Sequence, residues 1–251
     1  MNHKPFRSLV VLSVTVLALI SAAPAEDIGI GAHGGISIPN IRGNQDDPLT
    51  RGFTTRQGPF FGIFADFGLA PHVSLVAELN YTSQGGKRNG LQIITTLPAG
   101  IELPPDTSVF ANFKNETILD YIELPLMARV SYGGRLRVFA NAGPYVGYLV
   151  RAKAITAGTS PIFLDEAGTI PISEPVSFDA TTDVMDSLKR WNFGLAFGGG
   201  LKYAAGPGDL ILEAHFQLGL TTIQKDVATS GNSKTGAVVI SVGYAYGLKS
   251  K

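Results

Sequence analysis

The sequence predicts an all-β fold: a closed, eight-stranded antiparallel transmembrane β-barrel with short turns at one end and long loops at the other. Three observations predict it. Eight stretches alternate in polarity with the period of two that a strand imposes. The connections between them alternate short and long. The apolar members are large while the residues between them are small or charged, the reverse of a soluble barrel filled by its own apolar side chains.

The chain opens MNHKPFRSLVVLSVTVLALISAAPAED. Lys4 and Arg7 precede an apolar run from Leu9 to Ile20, followed by the small-x-small pattern Ala23-Pro24-Ala25. That order predicts a secretory signal peptide over 1–25, cleaved after Ala25, with the barrel occupying 26–251. The apolar run is too short for a helix that needs about 20 residues to span a bilayer. Without the leader's Lys4 and Arg7, 18 of the 20 Lys and Arg face 20 Asp and Glu, a formal charge of −2. No basic patch points to nucleic acid. The absence of cysteine excludes thiolate catalysis, cysteine metal sites and a lipidated N-terminal cysteine. Glycine is 30 of 251 residues, well above the usual ~7%, and it is dispersed among aromatic residues. That dispersal suits tightly curved strands rather than linkers.

The eight alternating stretches are 28–38, 59–69, 72–84, 117–132, 135–151, 190–203, 209–222 and 235–248. Each reaches the ~9–11 residues that a tilted strand needs to cross a bilayer. Ala70-Pro71, Gly133-Gly134 and the AAGPG of 204–208 supply tight turns. Residues 39–58, 85–116, 152–189 and 223–234 are expected as long loops. They fall on every second connection and so gather at one end, the arrangement of an outer-membrane barrel. The segments 91–110 and 155–180 mix apolar residues with proline. They are too apolar for plain disordered linkers, and are expected to fold over the barrel mouth or to bind a partner.

The stretch DYIELPLMARV shows the two faces. Ile122, Leu124, Leu126, Ala128 and Val130 share the face assigned to lipid, with Glu123 and Arg129 on the lumen side. The same alternation assigns Asp66, Glu78, Arg137, Lys202, Glu213 and His215 to the lumen, where buried charges should pair. The expectation is a salt-bridged polar core that fills the barrel, because eight strands leave room for little else. Lipid-facing aromatics divide into two bands. Phe61, Tyr81, Tyr148 and Trp191 lie at the long-loop ends, and Phe67, Tyr132, Tyr203, Tyr244 and Tyr246 near the turn ends, as interfacial girdles do.

At this point the chain resembles a known family. The early GIGAHGGIS strand, YIELPLMARVSY after a long loop and the closing GAVVISVGYAYG look like the PorT-like outer-membrane β-barrel domain family, within the porin family proteins. A strand of the type Y-[IL]-E-[IL]-P-[LI] is frequent there, and Tyr121 to Leu126 match it. The resemblance implies eight antiparallel strands and a Gram-negative outer-membrane location, and no defined reaction. One departure is that barrels of this type often end in an aromatic residue, whereas this chain closes GLKSK.

Nothing in the sequence calls for a cofactor, a metal or a catalytic site. Gly29, Gly31 and Gly34 fit G-x-G-x-x-G, but a dinucleotide site needs that motif to open a helix, and here it sits in a strand. His33, His72 and His215 have no ligand spacing, no G-x-S-x-G is present, and Asp46, Asp47, Asp183 and Asp186 read as solvated loop acids. The expected function is a non-enzymatic structural or surface-interaction role in the outer membrane. Its expected partners are outer-membrane lipid, the barrel assembly machinery during insertion and an extracellular ligand or protein at the long loops. The alternatives are a narrow porin, a barrel enzyme and a soluble lipocalin-like binder.

Overall fold

The computed structural model describes residues 27–94, 104 and 107–249; the expected leader and residues 95–103 of the second loop lie outside them. Eight long strands carry the fold: β1 (Asp27–Arg42), β2 (Gly58–Ala70), β3 (Val73–Ile94), β4 (Val109–Gly133), β5 (Leu136–Ala157), β6 (Trp191–Ala205), β7 (Gly208–Gly219) and β8 (Lys234–Lys249). Every consecutive pair is antiparallel, and β1 pairs with β8 from Asp27↔Lys249 to Arg42↔Lys234. The ring therefore closes and leaves no edge, as hydrocarbon requires of a sheet whose unpaired N–H and C=O groups would cost several kcal/mol each.

Alternation along each strand divides inside from outside. Outward go Ile30, Ile63, Leu79, Leu124, Val138, Leu195, Leu212 and Val242, all well exposed. Inward go Arg129, Glu123, Asn80, Thr82, Gln84 and Glu213, all buried. A continuous apolar belt of this extent on a water-facing surface would be an association site. Around a closed ring it is the lipid face of a transmembrane barrel.

Three turns close one end. The β4–β5 turn has Gly133 at φ +129° and the β6–β7 turn has Gly206 at φ +63°, backbone conformations that disfavour a Cβ. At the other end the strands overrun the bilayer. β3, β4 and β5 have 22, 25 and 22 residues, about twice what a crossing needs. The expected loop at 85–116 is thus largely a hairpin, paired from Lys87↔Glu116 to Ile94↔Val109. In the same way β5 continues to Ala157 and pairs with a short strand at Ala180–Asp183. Above the membrane there is no lipid to enforce alternation, so GGKRNG falls in the expected loop although its backbone is still in a ladder. The seventh strand closes at Gly219, shorter than the expected 222, because Thr221 turns to accept a hydrogen bond from the backbone N–H of Phe193 (3.1 Å).

The inside and outside are matched by glycine. Large inward side chains lie directly across the ladder from a glycine: Phe60 from Gly35, Phe64 from Gly31, Asn80 from Gly62, Phe139 from Gly200, Tyr145 from Gly194 and His215 from Gly198. A Cβ at Gly194 would stand 2.4 Å from Tyr145 Cε1 and 2.5 Å from the Leu218 carbonyl oxygen. Gly194→Val is therefore expected to destabilise the barrel by about 1–3 kcal/mol through overpacking. A urea titration followed by the mobility of unheated samples in gels measures it, and an unchanged midpoint would contradict the packing rule.

Candidate functional site

The lumen is built in tiers, each set by an inward position on several strands. At the turn-end mouth Arg137 of β5 pairs with Asp209 of β7. Above them Asp66 of β2 takes Lys202 Nζ at 2.5 Å and Arg129 Nη1 at 3.1 Å. Arg129 spans the barrel, its Nη2 lying 3.3 Å from Glu213 Oε2 and its guanidinium stacked 4.4 Å from the Phe139 ring centroid. Asn141 donates to Glu213 Oε1 at 2.8 Å, and His215 Nδ1 lies 3.6 Å from the same oxygen.

The next tiers hold acids without cations. Glu78 accepts from Asn80 Nδ2 at 2.7 Å, and His33 Nε2 lies 2.8 Å from Asn80 Oδ1. The rings of His33 and His215 both pack on Phe60. Glu123 is wholly buried and accepts from Thr82 Oγ1 (3.0 Å), Gln84 Nε2 (2.9 Å) and Gln217 Nε2 (2.7 Å). Neither Glu78 nor Glu123 has a cationic side chain within 4.0 Å among the described residues, which corrects the expectation that every lumen charge pairs. The reason is depth. Arg129 follows Glu123 by six residues on β4, about 20 Å along a strand, and is already divided between Asp66 and Glu213. Amides and hydroxyls from β3 and β7 satisfy Glu123 instead.

Of the residues expected in the lumen, Asp66, Arg129, Lys202, Glu213 and His215 come together. Glu78 and Glu123 lie higher, and Arg137 sits apart at the mouth with Asp209. Asn80 and Gln217 lie on the polar faces that the alternation of β3 and β7 assigns to them, whereas His33, Gln84, Asn141 and the aromatic Phe60, Phe64, Phe139 and Tyr145 are lumen groups that the sequence did not place there. Their parity in each strand was available. What hid them was the small size of inward neighbours, which suggested an interior too narrow for rings.

Phe61 stacks on Tyr81 with centroids 4.9 Å apart, and Tyr148 meets Trp191 edge-on at 5.0 Å, both pairs at the long-loop ends. At the turn ends Tyr132 stacks on His72, Arg135 covers Tyr203, and the Tyr244 hydroxyl donates to the Ala205 carbonyl oxygen. Tyr246 is exposed beside the same turn, and Phe67 is half-buried.

Two vestibules flank the packed middle. A turn-end cavity of about 540 Å³ reaches from His72 and Asp209 to Asp66 and Lys202. A loop-end cup of about 590 Å³ lies between the first loop, the β3–β4 hairpin, and the third and fourth loops. Phe53, Phe113 and Phe178 are among its walls, with Phe113 and Phe178 stacked 4.8 Å apart, and Arg88 and Gln92 supply polar groups. Burial lowers the pKa of Arg88 from its ordinary value, the neighbouring Arg51 adds to that, and Asp47 opposes it. At the upper rim Arg151 Nε donates to the buried carboxylate of Asp120 at 2.5 Å. The three described histidines lie in the lumen and at the turn end, away from this cup.

The chain is similar to several solved barrels. The N-terminal β-barrel domain of Pseudomonas aeruginosa OprF is 14% identical, with a TM-score of 0.40 over 89% of this chain and 98% of that one. P. aeruginosa OprG is 11% identical, with a TM-score of 0.43 over 91% and 99%. The outer membrane protease OmpT of Escherichia coli is 8% identical, with a TM-score of 0.34 over 90% and 98%. A search of curated proteins finds no match. A family model described as an outer membrane protein beta-barrel domain matches residues 21–225. With a closed ring, an apolar belt and that match over most of its length, the chain belongs to the outer membrane protein β-barrel domain family, and its place is the outer membrane.

Proposed function

We propose that this protein is a non-enzymatic barrel of the outer membrane, PorT-like in kinship and exported by a cleaved leader, that acts through the surface its long loops build outside the cell. The observation that carries this reading is the contrast between the two parts of the molecule. The lumen is filled from Asp66 to Gln217 by side chains bonded to one another, while β3 to β5 extend past the bilayer to shape an open cup. Recognition commonly sits on loops held by a rigid scaffold. The partners that fit are lipid around the belt, the assembly machinery during insertion and an extracellular ligand at the cup.

The cysteine-free sequence gives a direct test. Ala167→Cys, exposed in the third loop, should react with a membrane-impermeant maleimide on intact cells, and Gly134→Cys, in the β4–β5 turn with open space around its Cβ position, should react only after lysis. The opposite pattern would invert the proposed topology. The turn-end vestibule favours a second reading, a narrow pore. In planar bilayers the filled barrel is expected to give no discrete conductance steps, and steps would favour the pore.

A further inference from the structure

The loop-end cup contains a cation that the filled lumen does not explain. Arg88 lines the cup, and three further basic residues of the first loop and the hairpin have carboxylate partners. Arg51 pairs with Glu166 at 2.8 Å, Arg56 with Glu116 at 3.0 Å, and Lys87 reaches the same Glu116 at 3.8 Å. Arg88 has no carboxylate within 4.0 Å among the described residues. Its Nη2 donates to the Pro48 carbonyl oxygen at 2.7 Å and its Nη1 to the Leu49 carbonyl oxygen at 3.3 Å. Arg88 is only 8% exposed. A charge taken that far out of water is costly unless an opposite charge accompanies it. Two neutral carbonyls hold the guanidinium in place, leaving further N–H donors for another acceptor.

The surroundings define what that acceptor belongs to. The Phe53 ring lies 5.9 Å from the Arg88 guanidinium carbon, and the stacked Phe113–Phe178 pair forms another wall of the same cup. Asp179, also in the lining, is engaged within its own loop by the Gly158 N–H and the Ser177 hydroxyl. Asp47 is engaged by the Leu49 N–H in an Asx turn. The cup thus combines one buried guanidinium that has no carboxylate within 4.0 Å among the described residues with flat aromatic walls, in a volume of the size that small-molecule sites have.

We propose that the loop-end cup binds a small organic anion with a planar or short aliphatic body, its carboxylate on Arg88 and its apolar part against Phe53 and the Phe113–Phe178 pair. The inference rests on the outward-facing reading of the loops and adds a ligand class to it. A carboxylate matches the guanidinium fork, and charge-assisted hydrogen bonds of this kind are the stronger ones. The flat rings favour a flat partner.

The test uses the full barrel in lipid nanodiscs, with folding verified by the heat-dependent gel shift. Calorimetric titration with 2-naphthoate should give saturable binding, and the neutral 2-naphthylmethanol should bind about tenfold or more weakly. Arg88→Gln should lose that preference, and Phe178→Ala should weaken both ligands. No saturable binding of naphthoate by the wild-type barrel, or equal binding of the alcohol, overturns the proposal without reference to any variant. If Ala167→Cys labels on intact cells while naphthoate fails to bind, the anion site alone falls. If Ala167→Cys is shielded, the outward-facing reading falls with it.

Discussion

Arg129→Met is expected to lower the stability of the barrel by about 3–5 kcal/mol, the loss seen when one partner of a buried ion pair is removed. Arg129 is 1% exposed and bridges acids on two strands, Asp66 on β2 and Glu213 on β7. Methionine keeps much of the length and the contact with Phe139 but supplies no proton to either carboxylate. Asp66 retains Lys202, and Glu213 retains Asn141 and the ring of His215. The uncompensated charge therefore falls chiefly on Glu213. The double variant Arg129→Met, Glu213→Gln should recover part of the loss, because it removes the stranded charge and leaves an amide that still accepts from Asn141. Urea titrations of the vesicle-embedded barrel, followed by unheated gel mobility, measure both midpoints. A single variant as stable as wild type would mean that the tier is not held by this arginine.

The membrane-spanning part of the fold was legible because lipid forces a strict alternation. DYIELPLMARV assigns its faces at a glance, and Tyr121, Glu123, Pro125, Met127 and Arg129 all point inward in the structure. Above the bilayer that constraint ends. Residues 85–94 carry Gly85, Gly86 and Gly90 among Lys87, Arg88 and Asn89, so neither face reads as apolar, yet the ladder with β4 continues to Ile94. What holds it there is the pairing itself and the cross-strand attraction of Lys87 and Glu116.

Partners within the lumen were less legible than faces, since they depend on register. Parity places Glu123 and Arg129 on the same side of β4 but says nothing of what β3 and β7 bring opposite. Gln84 and Gln217 meet at Glu123, each donating to the carboxylate and Gln84 also donating to Gln217. That pair is 133 residues apart in sequence, and only closure of the ring brings it together. The glycines illustrate the same limit from the other side. GLAFGGG in β6 looks like slack until Tyr145, Phe139 and His215 are seen opposite Gly194, Gly200 and Gly198. The five-residue turn sets the register that puts His215 opposite Gly198, whereas Phe139 and Tyr145 face β6 across the long third loop, whose length leaves the register open.

The lipid face supports an equally large effect with a depth dependence that no packing argument shares. Phe197 lies midway along β6 between Trp191 at the loop-end girdle and Tyr203 at the turn-end girdle, and it is 45% exposed on the outside. It stacks on Phe216 of β7, which is also outward. Phe197→Arg places a guanidinium at the bilayer midplane, where such a charge costs about 2–4 kcal/mol, and it forfeits the stacked ring as well. Leu210 pairs across the ladder with Tyr203 and Tyr244, at the level of the turn-end girdle. Leu210→Arg should cost only about 0–1 kcal/mol there, because the long side chain reaches the interface. Stability in vesicles should therefore fall steeply for the first variant and little for the second, although both replace an exposed apolar residue by the same cation. Equal losses would mean that the belt is not graded by depth, and equal tolerance would mean that water, not hydrocarbon, surrounds it.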